Sequence, residues 1–319
     1  MAWPAPFRRS LDRLTGTLCS IVLAGSLMFL LVHWIPGDPT RAMLGEMAPP
    51  EDVARLSHEL GLDRPLGLRY LDFWQGVLTG RLGRSLENGE PVSARIGPAF
   101  GRTFLLALAA LSLAWPLGLA GGIVAAAGRH RRWGRWITGL ALVGTAVPAI
   151  VIGPLLMDFL AVRWALLPVS GAGGGRHLVL PALTIALAMA PHLIRITQAV
   201  VEDELDKPYI LLAQAKGLRP WVVVFRHALP GTVPILGTVS GVQWGNLLTG
   251  AIVVETLFSW PGMGFLLTRA IGCRDYPMIL GITVLFTTIY QGIGWLVDAT
   301  TDGWQRRRYP RLGAGDGPG

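Results

Sequence analysis

Gln243 and Asn246 stand three residues apart in an otherwise apolar run, so a helix places both amides on one face. Gly237, Gly241 and Gly245 repeat every four residues along the same run, a small-residue stripe that admits another helix at close range. Glu255 closes the run, and His33, Asp158, His192 and Arg195 are the other polar groups within or beside long apolar stretches. A charge inside a bilayer costs about 2.5–3.5 kcal/mol on insertion scales, so these residues face a cavity or a partner. Their types do not assemble a catalyst. A serine hydrolase in the bilayer needs a serine and a histidine converging within spans, but Ser170 and His177 lie in a glycine-rich connection. An aspartyl pair fails too, because Asp158 sits near a run's end and Asp316 in the terminal tail. No H-E-x-x-H and no G-x-x-x-x-G-K-[ST] occurs, and Cys19 and Cys273 have no metal or disulfide spacing. The chain is therefore expected to be no enzyme, with no catalytic residue, metal or cofactor of its own. Any ATP and Mg must be held by a partner.

The setting for these residues is a membrane. Of 319 residues, 51% are hydrophobic and 15% charged, whereas soluble domains carry about a quarter charged. A net charge of +8 does not mark a nucleic-acid binder, since the basic residues form short clusters between apolar runs without a recognition motif. Six stretches have the ~20 apolar residues needed to cross a bilayer: 15–35, 103–127, 137–161, 178–201, 233–254 and 278–297. The first is too long for a signal-peptide core and lacks a cleavage site, so it reads as an uncleaved anchor. Pro148, Pro154, Pro181 and Pro191 are expected to kink the third and fourth spans. The fold class is all-α, a polytopic membrane protein of about six transmembrane helices.

Orientation follows from basic residues in the short connections. Fifteen Lys and Arg fall on one side, in 1–14, between spans two and three, between four and five, and in the tail 301–319. Only Arg163, Arg176, Arg269 and Arg274 fall in the short loops opposite. Both termini are thus expected in the cytoplasm. The eight arginines of the long loop 36–102 do not disturb this, because long loops translocate regardless of charge. In that loop "PPEDVARLSHELGL" reads as a helix with acidic residues in its first turn and Gly61 past its end. "RPLGLRYLDFWQGVL" reads as a second helix at the membrane surface, with Tyr70, Phe73 and Trp74 as interfacial aromatics, and "TGRLGRSLENGEPV" as irregular turns.

The cytoplasmic connection 202–230 holds the most distinctive spacing. Tyr209, Leu212, Ala213 and Lys216 fall at i, i+3, i+4 and i+7, one face of a short helix. Gly217 suits the left-handed position that ends it, Pro220 the first turn of a second short helix, and Pro230 the residue beyond that helix. The product is a projecting helix–turn–helix, or else an ordinary basic loop.

This spacing resembles the cytoplasmic "EAA" loop in permease subunits of bacterial binding-protein-dependent ABC importers. That pattern is Glu-Ala-Ala, three residues, Gly, nine residues, Ile-x-Leu-Pro. Ala213, Gly217, Leu229 and Pro230 fall in register, while Leu211, Leu212 and His227 replace the Glu, the first Ala and the Ile. "HWIPGDP", "LGLDRPLGLRYLDFWQGVLTGRLGRSL", "AQAKGL" and "VVETLFSWPGMGFLLTRAIGCRDYP" resemble the dipeptide/oligopeptide/nickel branch, specifically the first of its two membrane subunits, over residues 10–312. Arg81, where relatives often carry an acidic residue, and Asp158, where an apolar one is expected, depart from it.

The resemblance implies an importer permease domain at 103–300, a second permease subunit as heterodimer partner, two ATP-binding subunits, a periplasmic solute-binding protein and a site in the inner membrane. It implies that Tyr209, Ala213, Lys216, Gly217, Leu229 and Pro230 couple the spans to an ATPase, with no glutamate at Leu211 to contribute. Gly237, Gly241, Gly245, Gln243 and Asn246 are expected at a subunit interface or along the solute path, tight packing within the subunit being the alternative. Glu255, Trp260, Pro261, Gly262, Asp275 and Tyr276 are expected to form an external cap met by the binding protein, interfacial anchoring being the alternative. Short peptides are the expected solute, with nickel or another small solute as alternative. A stand-alone secondary transporter is disfavoured by the near absence of mid-span carboxylates.

Overall fold

The computed structural model describes residues 5–34, 38–45 and 47–308, with the helical course alone at 5–12, 42, 242, 246, 248–250 and 298–308. The described chain is helical: α1 (Ala5–Trp34), α2 (Pro39–Leu44), α3 (Pro50–Glu59), α4 (Leu66–Thr79), α5 (Val92–Ala127), α6 (Arg132–Thr145), α7 (Ala149–Leu156), α8 (Gly175–Leu205), α9 (Pro208–Ala215), α10 (Pro220–Val222), α11 (Leu229–Leu257), α12 (Met263–Gly272) and α13 (Tyr276–Arg308). Two π-helical segments, Met157–Arg163 and Val223–Ala228, follow α7 and α10. Ile35, Pro36 and Gly37 of "HWIPGDP" lie outside the described residues, as does the chain after 308.

Among the described residues, five helices are long and apolar enough to cross a membrane. The expected third span differs. It is a broken pair, Arg132–Thr145 and Ala149–Arg163, bent by 98°. Pro148 supplies no N–H and disfavours helical backbone at Val147, so the ladder stops there and restarts after the proline. Pro154, Pro181 and Pro191 are carried inside their helices. The second span also begins earlier than expected: α5 starts at Val92, and its 36 residues extend about 54 Å at 1.5 Å per residue, well beyond the bilayer core.

The packing divides into two compact units. In the first, 1–102 with 261–292, Val32, Val92, Ile96, Met263, Leu266, Met278 and Ile282 form the core. The two helices expected in the loop are present as α3 and α4, and Gly61 (φ +65°) and Gly80 (φ +71°) adopt the left-handed conformation just past their ends. Tyr70, Phe73 and Trp74 pack on α1, where Tyr70 shares a 2.7 Å hydrogen bond with Ser26 and the Trp74 ring lies against Gly25. The stretch expected to be irregular closes a turn in which Arg84 bridges Pro91 and Ser85 N–H donates to Glu90 O at 2.8 Å.

In the second unit, 103–260 with 293–319, Leu106, Ala110, Leu180, Ile185, Leu247, Val254 and Phe258 bring α5, α8 and α11 together. The α5–α8 approach rests on missing side chains. A Cβ at Gly118, Gly121 or Gly122 would collide with Leu193, Ile194 or Thr197, so glycine here is the condition for contact between the helices. Gly122→Val is expected to cost about 1–3 kcal/mol by overpacking, read as a lower unfolding midpoint in detergent. Gly139→Val, where a Cβ meets open space, should leave that midpoint unchanged.

Candidate coupling site and translocation path

α9 starts on Pro208, whose missing N–H costs nothing at a first helical position. Ile210 is fully buried in a cluster with Ile123 and Ala126 of α5, Val201 and Leu205 of α8, and Val223, Val224 and Ala228 of the π segment. Ala213, one turn on, is buried as well. Tyr209, Leu211, Leu212 and Lys216 are exposed. The face expected from the sequence is therefore divided: Ala213 seats the helix while Tyr209, Leu212 and Lys216 look outward. "PYILLAQA" is apolar nearly all round, so its periodicity alone does not select a buried side. Gly217 has φ +77° and donates its N–H to Gln214 O at 2.9 Å, the left-handed stop expected of it.

The second short helix is corrected. From Pro220 the chain runs through α10 and the π segment into α11 without leaving helical geometry, so Leu229 and Pro230 begin a long helix instead of following a short one. Proline is accommodated here because the π segment just before it already departs from i→i+4 pairing. Trp221 and Phe225 stack on the outside of that beginning, ring centroids 5.9 Å apart. With Leu211, Leu212 and Leu218 they form an exposed apolar surface, and Lys216, Arg219 and Arg226 are exposed around it.

Along α11 the small-residue stripe serves more than one purpose. Gly241 lies against Val297 of α13 with no room for a Cβ, Gly245 is buried, and Gly237 opens on empty space. Gln243 is buried, and the Asn246 side chain lies outside the described residues. On α8, His192 and Arg195 occupy the middle of the helix at i, i+3 and are both exposed. Exposed polar groups at that depth require a water-filled path or a partner surface. Asp158 forms a 2.8 Å ion pair with Arg163, a spacing of five residues that the π segment brings onto one side.

The residues expected in an external cap turn inward. Glu255 is fully buried and accepts from Thr103 Oγ1 at 2.6 Å, while its carbonyl accepts from Trp260 N–H at 2.8 Å. Trp260 joins the core of its unit. In the other unit Gly262 precedes α12 in extended backbone and is buried. Asp275 accepts from the Ser85 hydroxyl and from Met278 N–H (3.3 Å), capping α13, whose first residue Tyr276 is buried. Pro261 is half-buried; the exposed groups of this segment include Thr256, Ser259, Thr268, Arg269, Ile271 and Cys273. Sequence marks these carboxylates as polar groups at span ends, but capping and burial are decided by what folds over them.

Residues 118–309 match the family described as binding-protein-dependent transport system inner membrane component, and residues 7–108 match its N-terminal membrane component. The chain belongs to this family of ABC importer permeases. It is 37% identical over 288 residues to the glutathione transport system permease protein GsiC of Salmonella typhimurium, covering 90% of this chain and 94% of that one. Identity is 38% to the protein of that name from Pectobacterium atrosepticum and 35% to that from Escherichia coli K12, with the same coverage. The fold is similar to that of solved chains of the MetNI methionine ABC transporter in inward-facing conformations, with TM-scores of 0.52 and 0.51 at 16% and 17% identity. These cover 64% and 66% of this chain and 91% and 95% of the solved ones. The permease is a multi-pass inner-membrane subunit that works with ATP-binding subunits and a binding protein.

One residue of the permease that sequence reading did not single out organises its cytoplasmic connection. Glu204, in the last turn of α8, is buried and accepts from Lys207 Nζ at 2.6 Å and from the Tyr209 hydroxyl. A Cβ on Gly231 of α11 would collide with its carboxylate. One side chain thus ties the end of α8 to α9 and fills the place where α11 begins. The signal available was a carboxylate five residues before a tyrosine, indistinguishable in sequence from its neighbours Glu202 and Asp203. Glu204→Ala should cost about 1–3 kcal/mol locally by leaving the Tyr209 hydroxyl without its acceptor, seen as faster amide hydrogen exchange across 208–216, with Glu204→Gln milder.

Glu87 gives a prediction with pH. Burial alone would raise its carboxyl, but hydrogen bonds from Arg95 (3.1 Å) and Arg269 (2.6 Å) and their charges outweigh that and hold it below the ordinary range. A lowered carboxyl contributes stability above its unfolded value and loses it as pH falls through the folded one. Wild type should melt above Glu87→Gln at pH 7, and the two should converge below about pH 4.

Proposed function

We propose that the permease pairs with a second, non-identical permease subunit and imports glutathione-like or other short peptides delivered by the binding protein. The identity to glutathione permeases over nine-tenths of the chain supports the solute class. The excess of Lys and Arg in 1–14, 129–135, 207–226 and the tail supports cytoplasmic termini and a cytoplasmic α9. ATP and Mg are bound and turned over by the ATP-binding subunits, as this chain has no phosphate-cradling loop. His192 and Arg195 of α8, with Gly237 of α11, face the solute path or the second subunit.

The observation that carries the mechanism is the build of α9. Leu211 and Leu212 on its outside, with Trp221 and Phe225 of the following turns, make an exposed apolar surface of the kind that docks on a partner, while Ile210 seats α9 in a cluster with α5 and α8 residues and Tyr209 bonds Glu204 of α8. A short helix so held moves with the spans when the ATPase below it closes, and turns nucleotide-driven closure into rocking of the helices. Leu211 grips by apolar contact where the family pattern has a glutamate.

The test is uptake into proteoliposomes holding both permeases, the ATP-binding subunits and the binding protein. The complete set should take up glutathione or short peptides only with ATP, and this chain alone should take up none. Gly217→Val should keep the subunits associated but lower uptake per ATP about tenfold, because a left-handed β-branched residue costs about 1–2 kcal/mol. Uptake by the chain alone, or wild-type coupling in Gly217→Val, would sink the reading.

A further inference from the structure

The first unit contains a cavity of about 310 Å³ that the transport reading does not use. His33, in the last turn of α1, and Tyr276, in the first turn of α13, line it on one side. Arg64, Arg69, Asp72 and Arg81, on and around α4, line it on the other, and the rest of the wall is aromatic or aliphatic. His33 and Tyr276 end two candidate spans, Arg13–Trp34 and Tyr276–Val297, so the cavity lies at the depth of lipid headgroups.

Its polar groups are unequally satisfied. Arg64 is paired with Asp72 at 3.2 Å. Arg69 donates only to the Leu62 carbonyl, at 3.2 Å, and among the described residues no carboxylate pairs with it or with Arg81. Burial works against the Arg69 charge and pulls its pKa below the usual arginine range. His33 bonds the Phe29 carbonyl through Nδ1 at 2.6 Å, and a carbonyl can only accept, so Nδ1 carries the proton. Its Nε2 is therefore an acceptor in the neutral ring, and it is buried without a partner. Two uncompensated guanidinium groups ask for an anion, and the imidazole nitrogen asks for a hydroxyl beside it. Leu23, Leu27, Leu30 and Leu31 of α1 are exposed below this level and offer a surface for acyl chains.

We propose that this cavity is a phospholipid site that seats a phosphodiester headgroup bearing a free hydroxyl, as in phosphatidylglycerol, with Arg69 and Arg81 on the phosphate and His33 Nε2 on the hydroxyl. Guanidinium groups match phosphate oxygens in a fork, and the apolar wall suits the glycerol backbone. Arg81, a departure from the sequence pattern of relatives, thereby gains a role apart from the solute.

The full-length permease is purified in detergent, and lipid retention is read by native mass spectrometry with added phosphatidylglycerol or phosphatidylcholine. Phosphatidylglycerol should be retained at least fivefold over phosphatidylcholine. Arg81→Gln, at an exposed position that no fold contact needs, should lower that retention about fivefold, the effect of one arginine at a charged interface. Arg69→Gln should do the same, and Arg84→Gln, outside the cavity, should not. Equal retention of the two lipids, or retention unchanged in both cavity variants, would overturn the site. Displacement of the lipid by millimolar inorganic phosphate or glycerol phosphate would assign the cavity to a soluble anion and overturn the lipid reading.

Discussion

Hydrocarbon offers a peptide group no hydrogen-bond partner, and the permease is organised around that constraint. Each crossing segment must close its own ladder, so five crossings are long helices and the sixth stretch, where Pro148 breaks the ladder, becomes two helices set at an angle. The ladder is loosened in two further places, at Met157–Arg163 and Val223–Ala228, where i→i+5 bonds replace i→i+4. Both lie at the ends of apolar helices, where neighbouring groups or water satisfy what is freed. Because lipid gives no hydrophobic drive between helices, association falls to close contact. The glycines at 118, 121 and 122 let α8 reach α5.

Rigidity at the cytoplasmic end follows from the same logic on a smaller scale. α9 has two turns, too few to be stable alone, and its order comes from the groups on its inner side. Ile210 and Ala213 supply apolar contact, Glu204 a charged anchor for Lys207 and Tyr209, and Gly217 a fixed exit direction. Ile210, Ala213 and Glu204 are all buried. Leu211, which stands where the family pattern has a glutamate, is exposed and lies outside this support.

Much of this was legible in the chain. The apolar runs, the loop helices α3 and α4, the left-handed Gly61 and Gly217, and the membership in the importer family all follow from local pattern or from motifs in register. From the sequence, Glu255 and Asp275 belong to an external cap, Pro230 follows a short helix, and 137–161 is one span kinked at its prolines, where the structure has buried carboxylates, the start of a long helix, and two helices bent by 98°. For the two carboxylates the choice depended on a neighbour far away in sequence: Thr103 for Glu255 and Ser85 for Asp275.

By itself the sequence determined that this protein is a helical bundle in a membrane, which side of it is basic, and where a short helix must stop. Those properties depend on apolar length, charge count and the φ that only glycine adopts freely. Tertiary structure decided which polar groups are buried and which are free to meet a partner. It enclosed Glu204 between three helices and left Arg69 and Arg81 beside an unbonded His33 nitrogen. Burial and hydrogen-bond satisfaction are properties of what surrounds a residue, and a linear chain does not specify its surroundings until it folds.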